Sequence, residues 1–249
     1  MAVGRAGASS VSATATKAKA LSQIQQNTAV PVTVTGTNTY EVMTWLGSTY
    51  DVYTWTSGSG TITFDRPMWI EFIYCGSGGA GGSASVDGYS GGGGAGAIFW
   101  GQGWAQPNRA LNISIGAQSG NGQNGSTTTF GNLTAPGGNA GGGGRGGSGG
   151  NSGAGYAGAF SGGAGANSGG GGGAAGVGIP YASNWSGGPG VWNSVRYGFP
   201  VEYGRGGGIG GAIAESGTLG WRGFGGSTQI AGGWSQGGST GSVTIRIPR

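Results

Sequence analysis

The sequence predicts a mainly β and irregular fold: a small β-structure joined to a bundle of polyglycine II helices, preceded by a short helical or extended N-terminal arm. Three observations carry that expectation. Glycine supplies 67 of the 249 residues, and only six of them precede Gly76, so 61 fall in the 174 residues from Gly76 to Arg249. Nine Trp, nine Tyr and seven Phe punctuate the glycine tracts, whereas disordered chains carry few aromatics and much charge. Strand-like runs of Val, Ile, Thr and aromatic residues flank the tracts on both sides.

Residues 1–29 are small and polar. Within them, 13–27 is the one segment with helical spacing, where Ala15, Ala18, Leu21, Ile24 and Gln25 form a thin apolar stripe too weak to fold alone. Two readings stand: a disordered arm, or an arm that orders on docking to a larger assembly or on association with its own copies. Residues 1–10 lack the apolar core of a signal peptide, and no apolar run has the length of a membrane span. Synthesis in a cytoplasm without membrane insertion is therefore expected.

Residues 30–75 read as a small β region. Residues 31–35 alternate as a strand, and 40–55 is rich in Val, Thr, Tyr and Trp, with Gly47-Ser48 as a turn between two strands. A short strand at 61–64 is broken by Asp65-Arg66-Pro67. MWIEFIYC, residues 68–75, is the clearest strand in the chain. Cys75, the single cysteine, ends an apolar stretch and reads as a buried thiol. No disulfide can form within one chain.

Residues 76–249 alternate glycine tracts with inserts. The main inserts are 98–108, 179–203 and 219–224, and strand-like segments recur at 110–115, 126–130 and 242–247. Ordering each glycine costs about 1–2 kcal/mol, and a glycine tract has no side chains to bury in return. Polyglycine II resolves this. It has polyproline II geometry, three residues per turn without internal hydrogen bonds, so each N–H and C=O points sideways and must pair with a neighbour. Glycine chains approach closely enough to pair on several sides, and an inward Cβ would wedge them apart. The strands at 68–75 and 242–247 are expected to pair and close the domain. The alternative is a flexible Gly/Ser linker. Proline is scarce and no strict triplet is present, which excludes collagen.

Much chemistry is missing. The chain has no histidine, which removes Ser-His-Asp and Cys-His catalysis and the common zinc sites. No Gly-Lys-Ser/Thr follows a glycine loop. Gly76-Ser-Gly-Gly-Ala-Gly81 fits a dinucleotide fingerprint, but no helix-forming stretch follows it. Seven carboxylates, Glu41, Asp51, Asp65, Glu71, Asp87, Glu202 and Glu215, are scattered, and Glu202 is the least implausible hydrolase acid because it sits in an aromatic insert. The net charge of +4 comes from only 7% charged residues without a Lys/Arg cluster, so nucleic acid is not an expected partner. No enzyme activity, cofactor or metal is expected.

The aromatic inserts are the binding candidates: Trp100, Trp104, Tyr181, Trp185, Trp192, Tyr197, Tyr203, Trp221 and Phe224. Rings interleaved with Asn, Ser and Gly suit adaptable recognition and stacking on sugar faces. The competing reading is structural, with the same rings capping the glycine bundle or packing on a neighbouring subunit.

Four segments also carry a resemblance. TITFDRPMWIEFIYCGSGGAGG (61–82), ALNISIGAQSGNGQNGSTTTFGN (110–132), LTAPGGNAGGGG (133–144) and GSVTIRIPR (241–249) resemble, in order, the opening strands, strand-turn-strand, following tract and closing strand of the glycine-rich domain of bacteriophage tail fibre and related virion proteins. The resemblance covers residues 61–249. It implies a virion structural protein of fibre, spike or adhesin type, with inserts that meet a host cell-surface glycan or protein, as in the small distal adhesins of T-even phage fibres. It also implies other virion proteins as partners and a homo-oligomer, a trimer by analogy with fibres. A capsid or tail decoration protein is the first alternative. An ice-binding polyglycine II protein is the second, against which the irregular spacing and bulky inserts argue.

Overall fold

The computed structural model describes residues 31–82, 91–120, 122–142, 189–196, 201–204 and 238–249. The expected arm at 1–29 and the glycine tracts beyond residue 142, up to 237, lie outside the described residues. What is described is mainly β, in three antiparallel sheets.

Two five-stranded sheets form the body. The first has the order β1 (Val32–Thr35), β4 (Ser59–Phe64), β7 (Leu111–Ser114), β8 (Thr128–Phe130) and β9 (Leu133–Ala135). The second has the order β2 (Asn38–Trp45), β3 (Ser48–Trp55), β12 (Ser242–Pro248), β5 (Met68–Cys75) and β6 (Ile98–Ala105). β10 (Val191–Asn193) and β11 (Val201–Tyr203) pair as a separate ribbon. Strands before and after Cys75 share both large sheets, so the change in composition at Gly76 does not divide the sandwich.

Alternation builds the core. Trp55, Ile62, Phe64, Ile70, Tyr74, Ile113, Phe130, Val243, Ile245 and Ile247 are all buried in one cluster drawn from both sheets, each from the inward-facing parity of its strand. β12 sits in the middle of the second sheet, pairing Val243 with Trp55 on one side and with Tyr74 on the other. The expected pairing of the strand at 68–75 with the closing strand is present, from Ser242↔Cys75 to Arg246↔Glu71. Cys75 is the expected buried thiol, 3.3 Å from the Ser242 hydroxyl.

The turns show local chemistry. The β2–β3 loop is Leu46-Gly47, with φ of 49° and 80°, the two positive values a type I′ hairpin requires. It lies one residue earlier than the sequence pattern placed it, and the exposed Leu46 occupies the strained first position. Of residues 98–108, expected as an insert, 98–105 form β6, paired with β5 along its whole length. Glycine in a strand hid it. A Cβ at Gly101 would lie 2.9 Å from the tip of the Phe72 ring, so a larger residue there would have to displace that ring.

Beyond the sandwich the strands run on as glycine segments, and their main chains pair with a period of three. Gly76, Gly79 and Gly82 donate to the carbonyls of Ala97, Gly94 and Gly91 at 2.9 Å. The intervening Ser77 and Ala80 donate instead to Ser126 and Gln123, and Gly78 donates to Ser239. Residues 91, 94 and 97 donate in turn to Gly142, Asn139 and Pro136. Successive N–H groups of one segment thus leave in three directions. A Cβ built on Gly76, Gly79 or Gly82 falls on the main chain at Pro136, Asn139 and Gly142 respectively, closer than real Cβ atoms come.

At the β2 margin, Asp51 is fully buried and accepts from the Tyr40 hydroxyl at 2.7 Å and from Arg249 Nε and Nη2 at 2.9 and 2.6 Å. The Tyr53 ring packs against Tyr40 at a tilt of 36°, centroids 5.0 Å apart. Burial, followed by the negative charge of Asp51, pushes the Tyr53 phenol up from 10.0 to about 12.

Two predictions follow from this packing. Gly79→Ala is expected to destabilise the fold by about 1–3 kcal/mol, while Gly103→Ala, with nothing within 4 Å of the new methyl, should stay within about 0.5 kcal/mol. Denaturant midpoints of the two variants test the contrast. The second concerns alkali. The folded Tyr53 holds its proton to about pH 12 whereas the unfolded chain releases it near 10, so its contribution is complete below pH 10 and is lost as pH rises to 12. Tyr53→Phe should flatten the fall in melting temperature between those values.

Candidate functional site

The outward face of the second sheet is not left to solvent. Across its centre the register aligns Glu41, Val52, Arg246, Glu71 and Gln102, one from each strand. Arg246 is 2% exposed. It pairs with Glu71, donates to the Ser194 carbonyl at 3.3 Å, and stacks over Trp45 and Tyr50 at 4.4 and 4.8 Å. The β10–β11 ribbon and residues 194–196 that follow β10 are held there. Val195 and Tyr203 bury against Ile73, Cys75 and Ile98 in a second apolar cluster, and Arg196 lies 3.9 Å from Glu41. The Gly190 N–H donates to Glu202 at 2.7 Å, and Asn193 accepts from the Val195 N–H at 2.8 Å.

Beside this ribbon the outward face of β6 stays open. Trp100, Gln102 and Trp104 share that face at every second residue and are exposed, the two indoles at 37% and 65%. Same-face residues lie roughly 6.7 Å apart along a strand, so the two indoles are about 13 Å apart. Trp69 supports Trp104 edge-on at 5.6 Å and 71°. Between the row and the ribbon lies a cleft of about 420 Å³ lined by Glu71, Trp100, Gly101, Gln102 and Val195. The one carboxylate among its described lining residues, Glu71, already faces the Arg246 guanidinium. Rings spaced along a stiff strand with an amide between them suit stacking and hydrogen bonding to an extended polar ligand.

Of the nine aromatic candidates, the structure brings Trp100 and Trp104 together on β6. Trp192 is 66% exposed on β10, opposite Glu202. Tyr203 is 1% exposed, inside the second cluster. Its ring fastens the ribbon to the sheet and offers no surface to a partner. Tyr181, Trp185, Tyr197, Trp221 and Phe224 lie outside the described residues. Glu71, Gln102 and Val195 were missed. The alternation Trp69, Glu71, Ile73, Cys75 in the strand already set Glu71 on the face opposite Ile70, Phe72 and Tyr74, which was the available signal. Among the described residues no group of three His, Cys, Asp or Glu side chains is placed to hold a metal ion, and no helix is long and apolar enough to cross a membrane.

The Arg246–Glu71 pair should act as the clasp of this face. Glu71→Ala leaves a buried guanidinium without its carboxylate and is expected to cost about 3 kcal/mol, while adding Arg246→Met restores most of the loss. Urea melts of the single and double variants test this, and an additive double variant would overturn it. No family model matches the chain, and no curated protein sequence matches it.

Proposed function

We propose that this chain is a non-enzymatic structural protein of a bacteriophage particle, of fibre, spike or adhesin type, and that β6 presents Trp100, Gln102 and Trp104 to a host-surface glycan. The observation that carries the reading is the row of exposed rings on an edge strand beside a cleft. Both indoles keep part of their surface in water, Trp104 most of it, and exposed aromatic rows mark binding surfaces. Its natural setting is the virion, among other virion proteins and copies of itself, with a trimer as the assembly to test.

The glycine segments form, on this reading, a polyglycine II bundle fastened to the sandwich. The three-residue period of their hydrogen bonds supports it, as does the absence of positive φ at every described glycine of 76–82, 91–96 and 137–142. Such a bundle gives an adhesin a rigid block that needs no oily core. The decoration-protein reading draws on the same strand, since β6 is the outermost strand of its sheet among the described residues and main-chain pairing to an outer strand is a recurring way to receive another subunit.

Point variants test the proposal better than deletion of the β10–β11 ribbon, which would strip Val195 and Tyr203 from the second cluster. Labelled protein is incubated with whole bacteria and with a panel of purified bacterial surface polysaccharides. Trp100→Ala and Trp104→Ala should each weaken binding about tenfold or more with unchanged melting temperature. Stable incorporation into particles by a chain that binds no cell and no polysaccharide would instead establish the decoration role and sink the adhesive one.

A further inference from the structure

A second groove, of about 260 Å³, opens where the two sheets part at the β6 end of the sandwich. Its floor is apolar. Phe72 and Phe130 meet there with ring centroids 5.2 Å apart, flanked by Ile70 and Leu111. Its rim is polar: Gln106, Arg109, Asn112 and Asn132, with Trp104 at one end.

Two turns hold that rim in place. The 106–110 loop bends through Asn108, whose φ is +55° and whose N–H donates to the Phe64 carbonyl at 2.7 Å. Left-handed backbone at a non-glycine residue costs energy and persists where the surroundings fix it. The β8–β9 hairpin turns on Gly131-Asn132, with Gly131 at φ +58° as a type II′ turn demands, and the Gly131 N–H donates to the Asn112 carbonyl at 2.7 Å. These bonds engage main-chain groups only. The side chains of Gln106, Arg109, Asn112 and Asn132 are exposed and make no hydrogen bond or ion pair with any described residue.

Four uncommitted polar side chains therefore converge on a ring-lined floor. Among the described residues of the groove Arg109 is the one that is charged, and none is a carboxylate. The volume falls below the roughly 300–1,000 Å³ of a drug-sized site and fits a single sugar-sized ring. An apolar floor receives the C–H face of a pyranose, amides pair with its hydroxyls, and a guanidinium pairs with a carboxylate in fork geometry. We infer that this groove is a subsite for one acidic sugar residue, a uronic acid or similar carboxylated unit, of the surface polysaccharide. This rests on the adhesive reading given above and deepens it. The indole row on β6 grips the polymer, and the groove selects for its charge.

The test measures binding of the full chain to an oligogalacturonate and to the same oligomer with its carboxyl groups reduced to alcohols. The acidic oligomer is expected to bind about tenfold tighter at low salt, with the preference shrinking as ionic strength rises. Arg109→Gln should abolish the preference while sparing the neutral oligomer, and Arg109→Lys should restore part of it. If both oligomers bind alike, or if Arg109→Gln leaves the acidic one unaffected while Trp100→Ala still removes binding, the charge-selecting subsite is wrong and the adhesive surface stands. If neither oligomer nor any surface polysaccharide binds, both fall together.

Discussion

The structure depends on one constraint: main-chain donors and acceptors of neighbouring segments must meet where there are no side chains to hold those segments apart. In the sandwich, two sheets stand about 10 Å apart because interdigitating side chains fill the gap. Past Cys75 and Ala135 large side chains give way to glycine and small residues. The continuations of the two sheets then close to hydrogen-bonding distance. Ser77 donates to Ser126, Gly94 to Asn139, and Gly138 back to Ser77, all between segments belonging to different sheets. Two layers become one block. Glycine is needed at 76, 79 and 82 on one side and at 93 and 96 facing it, because a Cβ at each would strike a neighbour's main chain. Alanine or serine is tolerated at 77, 80, 95 and 97, buried as they are. On the polyglycine II reading this is the threefold grammar of the sequence: one position in three has no room for a methyl.

The same constraint governs how the ends are fastened. β5 feeds the block and β12 returns from it, and the two strands pair at the centre of the second sheet. The glycine-rich stretch between them is a loop of very long sequence separation tied at its base by core strands. Closing such a loop costs entropy that grows only slowly with length. Val243, Ile245 and Ile247 on one face and Arg246 on the other meet that cost with buried contacts. Arg249 adds a further tie through the fully buried Asp51.

Sequence pattern made some of this legible and concealed the rest for identifiable reasons. The strands at 31–35, 61–64, 68–75, 110–115 and 242–247 announced themselves by β-branched and aromatic residues in alternation. β6 and β9 did not. IFWGQGWA has two glycines on its inward face, and LTA is three residues long beside a proline. The first read as an aromatic insert, and the second was absorbed into the glycine tract that follows it. Trp100 and Trp104 stood out as rings interleaved with glycine and amide residues, and the fold sets both on the outward face of β6. Tyr203 looked the same and is core, since burial by an element distant in sequence leaves no local trace. Arg109 carried no signal at all. Its significance comes from Phe72 and Phe130, which only the folded chain brings beside it.

The placement of the candidate surface on β6 then has a physical logic. A recognition strand loses affinity to whatever freedom it must give up on binding. β6 is bonded to β5 along eight residues on one side, and its N-terminal end emerges directly from the segment at 91–97, whose N–H groups at 91, 94 and 97 are tied into the block. Trp69 further restrains Trp104. The rings are thus set at fixed spacing before any partner arrives, and an indole has few rotamers left to lose. A glycine block is well suited to that role. It holds the strand end by main-chain bonds in several directions.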